Sequence, residues 1–336
     1  MSGKTVISDL LREFDGYQVP VNTFEFNLLR VQNGLLDMQK AFDKDWSPIR
    51  SDAAIRAFKR IVERAGTVAK LSNPKTLFVA NGMNYNAYFN NRFLEISEAY
   101  IKSLIDFEYE SEWPYLSLNE SGYKQFITRL TRTIFPKKIF LEKIYGAGNA
   151  DFVKLTRGYL NNLYNVIAES TTKTFVLHNA VEPFYPMAGL NLFENAKAII
   201  VDRDPRDIYA SNFVRHGVHV PAAEVKRHWD LKLGITGAAN IDVFIKRQKM
   251  IHDKIDTSLD TENVLRLNFE EIVLNYEDTL TKIYGFLGET SQAHIRKKEF
   301  FQPSLSEKNI GIWKKMSDQG AAEAIYYALP SYCYKN

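Results

Sequence analysis

AIIVDRDPRDIYAS, residues 198–211, decides how this chain is read. Four apolar residues run into Asp202-Arg203, a turn follows at Asp204-Pro205, and a helical pattern begins. A short apolar run of this kind reads as a strand buried in a parallel sheet. Proline suits the first turn of a helix, where its missing N–H has no partner to lose, and aspartate before it suits the N-cap. Arg203 then leaves the carboxyl end of a strand, the edge of an α/β sheet where ligands bind. Ser211 follows eight residues later, two helical turns on, able to face the same pocket. A guanidinium beside a hydroxyl makes a phosphate clamp.

Working outward, TFVLH at 174–178 and NVLRLN at 263–268 are runs of the same kind and predict further strands. Residues 151–172 place Phe152, Leu155, Tyr159, Leu163 and Val166 at helical steps. Residues 275–287 do the same with Tyr276, Leu280, Ile283, Phe286 and Leu287, then stop at Gly288, a helix-ending residue. Strands alternating with helices predict an α/β fold, a central parallel sheet flanked by helices. Residues 24–172 read as mostly helical, with one strand expected at TLFVA, 76–80. The expectation is a single domain over 1–336. Within it, 174–315 forms the core, and 31–173 is a large, mostly helical insertion or acceptor-binding subregion.

Composition bounds the function. The 336 residues are 45% hydrophobic and 25% charged, which excludes a disordered or fibrous chain. Lys and Arg number 43 against 40 Asp and Glu, too balanced for a general nucleic-acid or membrane binder. The single cysteine, Cys333, excludes an internal disulfide and a cysteine zinc site. The opening MSGKTVISDLLREF has no apolar core followed by a cleavage site. No run approaches the ~18 apolar residues of a membrane span. These features predict a cytoplasmic protein with no integral membrane segment and no nucleic-acid partner.

A second anion site is expected at the start of the chain. Ser2-Gly3-Lys4-Thr5 opens an apolar helical pattern through Val6, Ile7, Leu10, Leu11 and Phe14. Backbone N–H groups and the helix dipole at such a turn attract phosphate, lysine neutralises charge, and the hydroxyl donates a hydrogen bond. In a full phosphate loop a buried strand comes first. Only Met1 precedes Ser2.

Taken together, these motifs resemble the sulfotransferases that use 3′-phosphoadenosine 5′-phosphosulfate (PAPS). In that family a strand ending in arginine, an Asp-Pro-Arg-Asp-type turn and a serine eight residues on bind the donor's 3′-phosphate. Arg203 and Ser211 match those positions. SGKT is similar to the family's 5′-phosphosulfate loop, which would make Ser2, Gly3, Lys4 and Thr5 donor-binding residues. VLRLNFEEIVLNYEDTLTKIYGFLG, 264–288, resembles the family's strand, Tyr-Glu-Asp-Leu segment and helix. Phe269 stands where a tyrosine often lies near adenine. NIGIWKK, 309–315, is similar to the Gly-x-Trp-basic loop that closes over the nucleotide, which implicates Asn309, Gly311 and Trp313. Lys308 takes the place of an arginine that often precedes that glycine. Met1 stands at a position usually basic.

The resemblance implies the P-loop-like sulfotransferase fold. It implies in-line transfer of the sulfuryl group from PAPS to a hydroxyl, on a small molecule or glycan, with a carbohydrate or glycoconjugate expected by family analogy. No metal is expected, because the leaving nucleotide is already a good leaving group. Charge develops on the departing phosphate oxygen, and Lys4, Thr5 and the loop amides would meet it. A base is also needed. Of six histidines (His178, His216, His219, His228, His252 and His294), only His178 ends a predicted strand ahead of the Arg203 motif. It is therefore the candidate base, with a carboxylate such as Glu95 or Glu98 as the alternative. Aromatic residues of 76–123, among them Phe78, Tyr85, Tyr88, Phe89, Trp113 and Tyr115, fit either a sugar pocket or a helical core. Two other readings stay open. One is an ATP–magnesium kinase, with Gly3-Lys4-Thr5 as the end of a Walker A loop and Asp202 as the metal partner. The other is a clipped or non-catalytic relative, which the missing strand before Ser2 suggests.

Overall fold

The two apolar runs that predict neighbouring parallel strands do lie side by side, in a computed structural model that describes residues 4–20, 24–112, 122–135, 141–216, 241–255, 262–316 and 319–335. In chain order its main elements begin with α1 (Lys4–Leu11), β1 (Tyr17–Gln18), α2 (Pro48–Gly66), α3 (Phe93–Ser103), β2 (Phe107–Ser111) and α4 (Gly122–Ile134). Next come β3 (Glu142–Gly146), α5 (Phe152–Asn165), β4 (Thr174–Phe175), β5 (Ala198–Asp202) and α6 (Pro205–His216). The chain closes with α7 (Ile241–Ile255), β6 (Val264–Asn268), α8 (Phe269–Leu274), α9 (Tyr276–Leu287) and α10 (Gln319–Ala328). They divide between two compact units, one of residues 1–30 and 168–336 and one of residues 31–167.

In the first unit β5 and β6 pair in parallel, with Ala198 opposite Val264 and Asp202 opposite Asn268. β1 and β4 form a second parallel pair. Parallel neighbours require a crossover between them, and helices supply it, so the unit is α/β. Strand β4 covers only the first two residues of the predicted run 174–178, and His178 adds one parallel bridge to Glu25. α1 buries Val6, Ile7, Leu10 and Leu11 in one core with Val201, Leu267, Phe269, Leu280 and Ile283. Each such side chain contributes about 1.5–3 kcal/mol relative to exposure. A second core joins Tyr209, Phe244, Ile325 and Leu329 with Cys333. α9 stops where Gly288 adopts φ +77°, a left-handed conformation that glycine, having no Cβ, enters at no steric cost.

In the second unit α2 starts at Ser47, whose side chain accepts from Arg50 N at 3.2 Å, with Pro48 at the first position. Its Asp52 is buried, accepting from Tyr145 N at 2.9 Å and from Arg56. α3 and α5 meet through stacked Tyr100 and Tyr159, centroids 4.4 Å apart. Their hydroxyls are satisfied by Thr156 and Ser97 at 2.7 and 2.8 Å. One expectation fails in this unit. TLFVA is not a strand, because Pro74–Val79 is a helix with Leu77 and Phe78 exposed. Proline at its start fits a helix. The sheet lies elsewhere: β2 pairs antiparallel with β3, Phe107 opposite Gly146. Of the candidate sugar-stacking aromatics, Tyr85 and Phe89 are core, while Trp113 and Tyr115 lie outside the described residues.

Candidate functional site

The register of β5 and β6 builds the site. Asp202 and Asn268 end their strands opposite each other, so the next residues, Arg203 and Phe269, leave the sheet side by side. The Arg203 guanidinium lies 4.9 Å from the centre of the Phe269 ring, a cation–π contact in a buried setting. It also donates to the carbonyl of Asn309 at 2.5 Å.

The turn after Arg203 is capped from within. Asp204 Oδ1 accepts from Arg206 N at 2.8 Å, and the carboxylate holds the Arg206 guanidinium as well. Pro205 opens α6, as its spacing predicts. Ser211 lies two turns along that helix and is buried. Asp207, between them, reaches the C-terminal loop: Oδ2 accepts from Gly311 N at 2.7 Å and Oδ1 from Trp313 N at 3.2 Å. Gly311 has φ +68°, so it turns the loop where other residues would be strained. Arg206 closes the loop from the far side, 4.4 Å from the Trp313 ring centre, and donates to the carbonyl of Tyr334 at 3.1 Å.

Three buried carboxylates, Asp204, Asp207 and Glu270, share this corner. Glu270 Oε1 accepts from Asp204 N at 3.0 Å. Burial pushes Glu270 up from 4.5 to about 7, against the pull of that hydrogen bond, and the two aspartates push the same way. Burial also raises Asp207, opposed by the Gly311 and Trp313 N–H groups and by the charge of Arg203.

The structure thus joins Arg203, Phe269, Asn309, Gly311 and Trp313 into one set of contacts. Lys308 stands exposed at the end of the short helix Pro303–Glu307. His178 is buried beside its bridge to Glu25. Thr5 is half-buried in the first turn of α1, and the Lys4 backbone begins that helix. Ser2, Gly3 and the Lys4 side chain lie outside the described residues, as do His219 and His228. In the second unit Glu95 pairs with Arg92 at 2.6 Å and Glu98 with Lys102 at 3.1 Å. Asp202, the magnesium partner of the kinase reading, is held by Arg266 at 2.7 Å.

Sequence reasoning missed Asp207, Glu270 and Arg206. Asp207 carried a signal, since the last acid of Asp-Pro-Arg-Asp sits in the first turn of α6. Among the described residues no helix is long and apolar enough to cross a membrane.

No curated protein matches the chain. A solved structure, sulfotransferase STF9 from Mycobacterium avium, is similar at 14% identity, covering 98% of this chain and 73% of that one, with a TM-score of 0.38. The sulfotransferase family model matches residues 117–292. That stretch is more than half of the 336 residues, and it carries β5, the turn at Arg203, α6, β6 and the helix that Gly288 ends. On this match the chain belongs to the sulfotransferase family.

Proposed function

We propose that the protein transfers the sulfuryl group of PAPS to a hydroxyl of a carbohydrate or glycoconjugate. The observation that carries the donor assignment is Arg203, fixed at the exit of β5 between the Phe269 ring and the Asn309 carbonyl. There it would face the donor's 3′-phosphate, with Ser211 as the second donor of the clamp. Phe269 would offer a ring to the adenine. The loop of Asn309, Gly311 and Trp313, with Lys308 beside it, would cover the nucleotide. Asp207 holds that loop through two backbone N–H groups, so cover and clamp are mechanically one piece.

The residues at the head of α1 would serve the other end of the donor. The acceptor oxygen attacks sulfur as the bond from sulfur to the bridging phosphate oxygen breaks. The electron pair of that bond stays on the nucleotide, which leaves as 3′,5′-ADP. Lys4, Thr5, the amides of Ser2 and Gly3 and the α1 dipole would stabilise that oxygen. His178 is the proposed base, taking the acceptor proton at a ring nitrogen. The kinase reading has no use for the loop that Asp207 binds, and Asp202 is engaged by Arg266. Thermal unfolding in the presence of nucleotides tests the donor. Protection by 3′,5′-ADP and none by ATP–magnesium is expected; the reverse would sink the proposal.

A further inference from the structure

The proposed donor grip at Lys4 and Thr5 is only as well aimed as the helix behind it. α1 is eight residues long, a rod of about 12 Å. One side of it is packed by Val6, Ile7, Leu10 and Leu11. Its far end is held by a polar cluster that the chemistry above does not use.

The cluster centres on Glu13, which is 0% exposed. Its Oε1 accepts from Phe300 N at 2.9 Å and Phe301 N at 2.7 Å. Its Oε2 accepts from Lys298 N at 3.0 Å and lies 2.5 Å from His294 Nε2. The other ring nitrogen of His294, Nδ1, is 2.8 Å from the Tyr284 hydroxyl. The imidazole stacks on Phe14, centroids 4.7 Å apart and planes 12° from parallel. Backbone bonds seal the joint, Arg296 N to Glu13 O at 3.1 Å and Asp15 N to Ala293 O at 2.8 Å.

A buried carboxylate is costly unless its oxygens are hydrogen-bonded, and here both are. Apolar packing alone lets a helix slide or rotate by small amounts. Four donors fixed on one carboxylate allow only one rotation and one height. We propose that Glu13 is a positioning residue. With His294 and Tyr284 behind it, Glu13 locks the axial position and rotation of α1, so that the first turn meets the donor's 5′ end. The proposal rests on the donor reading above, and it goes beyond that reading by placing a determinant of donor geometry away from the grip itself.

Calorimetry with two ligands isolates it. 3′,5′-ADP has a 5′-phosphate for α1 to meet, and 3′-AMP lacks it while keeping the 3′-phosphate. Glu13→Gln and His294→Asn should weaken 3′,5′-ADP about tenfold and leave 3′-AMP within about twofold, the loss being confined to one charged contact. General destabilisation would not change the ratio of the two affinities. Equal losses for both ligands, or no loss for either, in folded variants would overturn the proposal. Tyr284→Phe removes one hydroxyl and keeps the ring packing, and it carries the same test should the other variants fail to fold. Its ratio should fall about threefold, the effect of one neutral hydrogen bond; an unchanged ratio would overturn the proposal. A wild-type protein that binds 3′,5′-ADP no better than 3′-AMP would instead contradict the donor reading itself.

Discussion

Glu270→Gln should make the protein less sensitive to alkaline pH. Glu270 is buried, its Oε1 accepts from Asp204 N, and burial raises it from 4.5 to about 7. An acid raised in the folded state holds its proton more tightly folded than unfolded. Its stabilising contribution is therefore complete below about 4.5 and is lost as pH rises through about 7. The gap between 4.5 and about 7, at about 1.4 kcal/mol per unit, comes to about 3 kcal/mol. Glutamine keeps an oxygen for the Asp204 N–H and carries no charge to bury. Relief of repulsion from Asp204 and Asp207 is part of the gain, since both push Glu270 upward. Urea unfolding at pH 5 and pH 8 reads the difference between variant and wild type, in which titrations common to both cancel. The variant's advantage over wild type should grow by about 2–3 kcal/mol between pH 5 and pH 8. The same gap at both pH values would refute the reasoning.

Three further outcomes follow from the site. Arg203→Ala should weaken 3′,5′-ADP more than tenfold, since a hydrogen bond to a charged group is worth about 1.5–3 kcal/mol; unchanged affinity in calorimetry on a folded variant removes Arg203 from the clamp. Asp207→Ala unties Gly311 N and Trp313 N, so proteolysis within 308–315 should speed up and Trp313 fluorescence should shift to the red. A protease-resistant loop in that variant argues against the tether. His178→Ala should keep 3′,5′-ADP affinity while transfer falls by about 10²–10⁴, the usual loss of a general base; full transfer rates would pass the role to a carboxylate.

Much of the frame around the site was legible in the sequence. The run 198–202 with Asp204-Pro205 predicts β5 and the start of α6, and both lie where expected. Gly288 ends α9 with the left-handed φ that makes glycine a stop signal. Local apolar runs and caps carry such information because the forces involved act within a few residues. The pair β2–β3 was not legible. FEYES alternates aromatic and acidic residues and is mostly exposed, so it has no apolar run to signal a strand. TLFVA misled in the opposite sense, since Asn73-Pro74 opens a helix at the surface. The placement of Arg203 at the exit of β5 and of Ser211 two turns into α6 was readable from their spacing. The contacts of Arg206 with Tyr334 and of Arg203 with Asn309 join residues more than a hundred positions apart. Only the folded chain brings them together.

The central claim is sulfuryl transfer from PAPS, and its most direct measurement is release of 3′,5′-ADP from PAPS in the presence of a glycan panel, followed by mass spectrometry of the acceptors. An acceptor hydroxyl should gain one sulfuryl group for each 3′,5′-ADP formed, at a rate unchanged by EDTA and abolished with Arg203→Ala. Binding and turnover of ATP–magnesium with phosphorylated product, and none with PAPS, would contradict the account.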